Sequence, residues 1–123
     1  MIKVLKIDLG LYDHWALVSD RYQRGKPMLI SNTLRNGTVV EEPWDDVVAG
    51  RPFKVIWMPT LESATSVIST ARSLVGKVRY SLAYYNCEHF VREVATGMRE
   101  SKQVKQVATA LTLLGAFVYL AKK

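Results

Sequence analysis

The chain has 123 residues, 49% hydrophobic and 23% charged, which suits a single domain with its own core. Its one cysteine excludes an intramolecular disulfide, and with only two histidines beside it neither a Cys-rich zinc framework nor any cofactor is expected. The formal charge of +6 fits nucleic acid or anionic lipid, but no nucleic-acid motif is recognisable and the basic residues gather around an apolar C-terminal segment, so a membrane surface is the expected partner and nucleic acid is not.

The opening Met1-Ile2-Lys3-Val4-Leu5-Lys6-Ile7-Asp8 alternates charged and apolar residues without a continuous apolar stretch. No secretory leader is expected, and a reducing, cytoplasmic setting with membrane association is the default. Residues 2–9 and 14–19 read as short strands, punctuated by Gly10 and Asp13. Residues 20–26 are polar with a glycine and read as a hairpin loop into a strand over 27–32. Asn36-Gly37 is a turn signal before a strand at 39–42. The acidic run over 39–46 is either a specificity loop or a solvated edge. Residues 53–58 form the last predicted strand, closed by Pro59.

From there the period changes to that of helices. Thr60 is placed to cap a helix whose Leu61, Ala64, Ile68, Ala71 and Leu74 share a face, with Gly76 as its stop. A second helix spans Asn86 to about Thr96, because Cys87, Phe90, Val91 and Val94 recur at spacings of three, four and seven. Asn86 is its natural N-cap and Gly97 its stop. A third begins near Ser101. Its residues 107–121 carry no charge and are bracketed by Lys105 and Lys122-Lys123. At 1.5 Å per residue that stretch reaches roughly 22 Å, short of a ~30 Å hydrocarbon core. A short span with snorkelling lysines, an interfacial helix and a buried helix all fit; membrane contact is the expectation. The chain thus divides into residues 1–100, an α+β unit with an antiparallel sheet packed against helices, and residues 101–123, a basic and apolar helix.

Cys87 falls in the first turn of its helix, where the dipole and free N–H groups favour an anion and lower a thiol pKa. It is either a nucleophile or a small buried hydrophobe. A nucleophile needs a base. His89 follows on the same helix, about 200° around it, and is expected to serve a structural role by capping or anchoring the helix. His14, on a distant strand, is the better base, its alternative being a half-buried strand histidine.

Asp13-His14-Trp15-Ala16-Leu17, followed by Tyr80-Ser81-Leu82-Ala83-Tyr84-Tyr85-Asn86-Cys87-Glu88-His89-Phe90-Val91, resembles the paired His and NCEHF boxes of the lecithin:retinol acyltransferase-like family. The resemblance covers about residues 12–99. It implies a circularly permuted, NlpC-type papain-like fold, Cys87 as nucleophile, His14 as general base, and an acyl donor such as a phospholipid. It further implies acyl transfer or phospholipase A-like hydrolysis through a thioester. An NlpC-type amidase or peptidase, and a binding or membrane-adaptor module of low turnover, are the alternatives. The family orients its base with a second histidine, and no histidine stands between His14 and His89. Asn32 is the expected substitute, its amide oxygen accepting the His14 N–H; Ser31 takes that place if the loop shifts the alignment by one. Neighbours in a strand face opposite sides, so only one of them can serve.

Overall fold

Alternating apolar residues in the first half build a sheet buried on both faces. In the computed structural model, which describes residues 1–82 and 85–97, five strands run antiparallel: β1 (Ile2–Asp8), β2 (Asp13–Gln23), β3 (Lys26–Thr33), β4 (Thr38–Glu42) and β5 (Phe53–Met58). Their order is β4-β3-β2-β1-β5, so the two N-terminal hairpins form the centre and one edge and β5 closes the other edge beside β1. Among the described residues three helices accompany the sheet in an α+β architecture: α1 (Trp44–Val48), α2 (Ala64–Ser73) and α3 (Cys87–Thr96). The predicted C-terminal helix at 101–123 lies outside the described residues. Among the described residues no helix is long and apolar enough to cross a membrane.

The period of two sorts the core into two layers. Ile2, Val4, Trp15, Leu17, Ile30 and Val39 pack against Val67, Ile68 and Ala71 of α2 and Cys87, Phe90 and Val91 of α3. The intervening Leu5, Ile7, Ala16 and Leu29 face the other way, against Val47 and Val48 of α1. A one-residue slip would exchange these two sets, so burial on both faces specifies the register.

Three sequence expectations change. The predicted loop at 20–26 is mostly strand: β2 runs on to Gln23, and the turn is Arg24-Gly25, both at positive φ (56° and 78°), the geometry of a two-residue hairpin turn. The pairing shifts between Val18 and Tyr22, a bulge that sets Ser19 and Asp20 toward Arg72 of α2. The acidic run is neither an open loop nor merely a solvated edge. It is β4 followed by α1, and its Glu41 and Glu42 take Arg72 and Arg35 as partners. The α2 cap is Ser63, whose side chain accepts from Ser66 N–H, because the Thr60 hydroxyl instead donates to the Glu62 carbonyl.

Candidate active site

Helix α3 begins where Asn86 turns extended and its side chain accepts the His89 N–H at 3.0 Å, while His89 Nδ1 accepts the Asn86 N–H at 2.9 Å. This is a capping box with imidazole in place of the usual carboxylate or amide. The structural role expected of His89 is therefore what its geometry gives: Nδ1 is committed to the cap and the ring is buried. Gly97, at φ 76°, ends the helix as predicted, its N–H reaching the Glu93 carbonyl.

The thiol is carried to β2 by a gap in the sheet. From the hairpin end, the β2–β3 ladder reaches Leu17↔Ile30 and stops, leaving residues 13–16 of β2 without a ladder partner on β3. The start of α3 occupies that opening. Asn32 Nδ2 donates to the Tyr85 carbonyl at 2.7 Å, and Cys87 Sγ lies 3.9 Å from the Asp13 carbonyl oxygen, with the Trp15 N–H also directed at the sulfur. The thiol thus meets the strand on either side of His14. Among the described residues the thiol's hydrogen bond is to Asp13 and the imidazole's is to Ser31; none joins the two side chains.

His14 Nε2 and Ser31 Oγ are 3.0 Å apart. Ser31, not Asn32, reaches the ring, because His14 and Ser31 share the α1 side of the sheet while Asn32 lies on the α3 side. The Asn32 oxygen, expected to accept from His14, is buried and, among the described residues, has no hydrogen-bond partner.

Electrostatics also depart from the sequence expectation. The helix start was expected to lower the thiol pKa, yet burial pushes it up to about 11, against the pull of the Trp15, Glu88 and Cys87 N–H groups. The neighbouring Glu88 carboxylate adds to the rise. Burial, with the Arg35 and Arg51 guanidiniums, lowers His14 to about 4. At neutral pH the pair is thiol and neutral imidazole, not an ion pair.

The two boxes are tied together by residues to which the sequence assigned no role. Glu88, fully buried, is ion-paired to Arg92 Nε at 2.9 Å. The Arg92 guanidinium stacks over the Trp15 ring at 5.0 Å, and Lys6 lies over the same ring at 4.5 Å. Tyr12 and Tyr80 feel the charge of a Cys87 thiolate, and both phenols are held above their ordinary pKa, chiefly by burial. Tyr12 stands two residues before His14 and Tyr80 seven before Cys87, so proximity to the boxes was the available signal. Among the described residues no cluster of His, Cys, Asp and Glu is placed to hold a metal ion.

Comparison with known proteins adds an independent line. The family model described as lecithin retinol acyltransferase matches residues 2–100. Human phospholipase A and acyltransferase 4 is 32% identical over 128 aligned positions, covering 84% of this chain and 77% of that protein. Human phospholipase A and acyltransferase 3 is 42% identical over 131 positions, covering 91% and 80%, and the Pongo abelii protein of the same name aligns equally well.

Proposed function

The chain belongs to the lecithin retinol acyltransferase family, and on that premise we propose that it removes or transfers fatty acyl groups of lipids through a thioester on Cys87. The observation that carries this reading is the placement of Cys87 Sγ against β2 at His14, whose Nε2 is engaged by Ser31. A helix-start cysteine, a strand histidine and a polar group on the next strand make up a papain-like arrangement. Here the histidine strand precedes the cysteine helix, the order of a permuted form.

With Ser31 Oγ accepting from Nε2–H, the lone pair lies on Nδ1, the base atom. As the sulfur attacks the ester carbonyl, the thiol proton passes to Nδ1; the carbonyl oxygen becomes the oxyanion. Its collapse breaks the ester C–O bond, and the departing alkoxide takes the proton from His14. Water, or the hydroxyl or amine of an acceptor, then gives its proton to His14 and attacks the thioester. The leaving thiolate recovers that proton. Backbone N–H groups at the start of α3, already directed at the sulfur, stabilise negative charge there. In this reading substrate binding draws the thiol and imidazole, which make no mutual hydrogen bond among the described residues, into hydrogen-bond contact. A buried neutral pair also favours slow turnover over a preformed thiolate.

Contact with the lipid surface is assigned to the C-terminal residues 101–123, on their lysines and uncharged 107–121 stretch. The test is a mass spectrum of the chain after incubation with phosphatidylcholine vesicles. A hydroxylamine-sensitive acyl adduct on Cys87, absent in Cys87→Ser, is expected together with released fatty acid. Neither adduct nor fatty acid would sink the enzyme reading.

A further inference from the structure

Beside the imidazole lies a cleft of about 270 Å³ whose wall includes Tyr12, His14, Arg35, Asp46 and Arg51. Its charges are unequally committed. Asp46 is paired with Arg24 at 3.7 Å. Among the described residues Arg35 uses only Nη2, on Glu42 at 2.8 and 3.0 Å, leaving Nε and Nη1. Arg51 is exposed and, among the described residues, makes no ion pair. Two guanidiniums thus border one cleft with His14 in its wall, and Tyr12, in the same wall, lies near enough to Cys87 and Arg51 to feel the charge of each.

We propose that this cleft is a phosphate subsite in which Arg51, assisted by Arg35, holds the phosphodiester of the acyl donor beside His14. The inference rests on the reading of Cys87 and His14 as an acyl-ester site and adds to it the residues that select a charged headgroup. The chemistry suits the task. Guanidinium presents a planar fork of donors to phosphate oxygens, and Arg51 has its fork free. The phosphate of a glycerophospholipid is a few bonds from its ester carbonyl, so a headgroup held at Arg51 keeps the acyl group in the neighbourhood of the thiol. A bound phosphate also neutralises the two cations that disfavour protonated His14, easing proton transfer to the imidazole when substrate is present. The other groups beside His14 are Ser31, Tyr12, Asp46 and the Cys87 thiol against β2, with Glu42 behind Arg35.

Binding and turnover separate the claim from the reading it rests on. In the full chain, the His14 imidazole resonance is followed by NMR while glycerophosphocholine, and separately inorganic phosphate, is added. Glycerophosphocholine is expected to give a saturable shift and to raise the pH midpoint of His14. Arg51→Gln should abolish this, and Arg51→Lys should restore it in part. The shift persisting in Arg51→Gln, or its absence in the unsubstituted chain, overturns the proposal. A response to inorganic phosphate without one to glycerophosphocholine also overturns it, in favour of a free-phosphate site. In kinetics, Arg51→Gln should lower kcat/KM for phosphatidylcholine about tenfold relative to that for diacylglycerol, the loss expected for one charge-assisted contact. An unchanged ratio refutes selection by Arg51. Should neither lipid be turned over by the unsubstituted chain, the enzyme reading fails while the NMR arm still decides the subsite.

Discussion

Ser31 and Asn32 are consecutive on β3 and serve opposite faces of the sheet, so substitution at each reports on a different neighbour. Ser31→Ala frees His14 Nε2 and is expected to lower kcat about tenfold, with little change in KM and none in fold. Asn32→Ala removes the bond to the Tyr85 carbonyl, which keeps the Ser81 N–H at 2.9 Å, and empties a buried site, which should cost about 1 kcal/mol in urea unfolding. A larger kcat loss from Asn32→Ala at full stability would reverse the two roles. The titrations set a second test. His14 titrates ordinarily at 6.5 and is lowered to about 4, so the unfolded chain takes up a proton that the folded chain refuses as pH falls through that window; stability is lost there. Cys87 is raised from 9.0 to about 11, so the unfolded chain ionises first as pH rises through that range, and stability is lost again. The urea midpoint should therefore hold a plateau between these windows, and His14→Gln should flatten its decline between pH 6.5 and 4. A decline unaltered by that substitution would contradict the burial of a neutral His14.

Beyond the apolar packing of Val67, Ile68 and Ala71, helix α2 is tied to the sheet through Arg72. Arg72 reaches both oxygens of Glu41 at 3.0 Å, Asp20 at 2.7 Å and Ser19 at 3.1 Å, and the Ser19 hydroxyl also donates to Glu41. This fork lowers the Glu41 carboxyl despite its burial. Arg72→Met leaves the nearly buried Glu41 carboxylate with only the Ser19 hydroxyl and the exposed Arg21 at 3.4 Å and should cost about 2 kcal/mol, whereas the double change with Glu41→Gln should recover part of the loss. Additive losses in urea midpoint would show that the fork contributes no coupling. The network also explains what was and was not legible at this scale. The apolar faces of α2 and α3 are written in their spacing, and so is the Asn86 cap. The bulge that turns Ser19 and Asp20 toward α2 is not, because it answers to an arginine more than fifty positions away.

At the scale of the whole molecule, the lipid contact proposed above rests on the net charge of +6 and on the charge-free sequence at 107–121. Deleting 107–123 should reduce binding to anionic vesicles at least tenfold in sedimentation, since each buried methylene contributes about 0.8 kcal/mol; unchanged binding would remove that segment from the membrane contact. The two boxes, the Asn86 cap and the period-two strands were readable along the chain, because each depends on neighbours within a few residues or on a motif. The sign of the thiol's pKa, the choice of Ser31 over Asn32, and the convergence of Arg35 and Arg51 on His14 were not. Those depend on how deeply α3 enters the opening between β2 and β3 and on which sheet face each side chain takes. Desolvation and long-range contact are properties of the packed fold, and no local spacing encodes them. Only packing shows how much water the site loses.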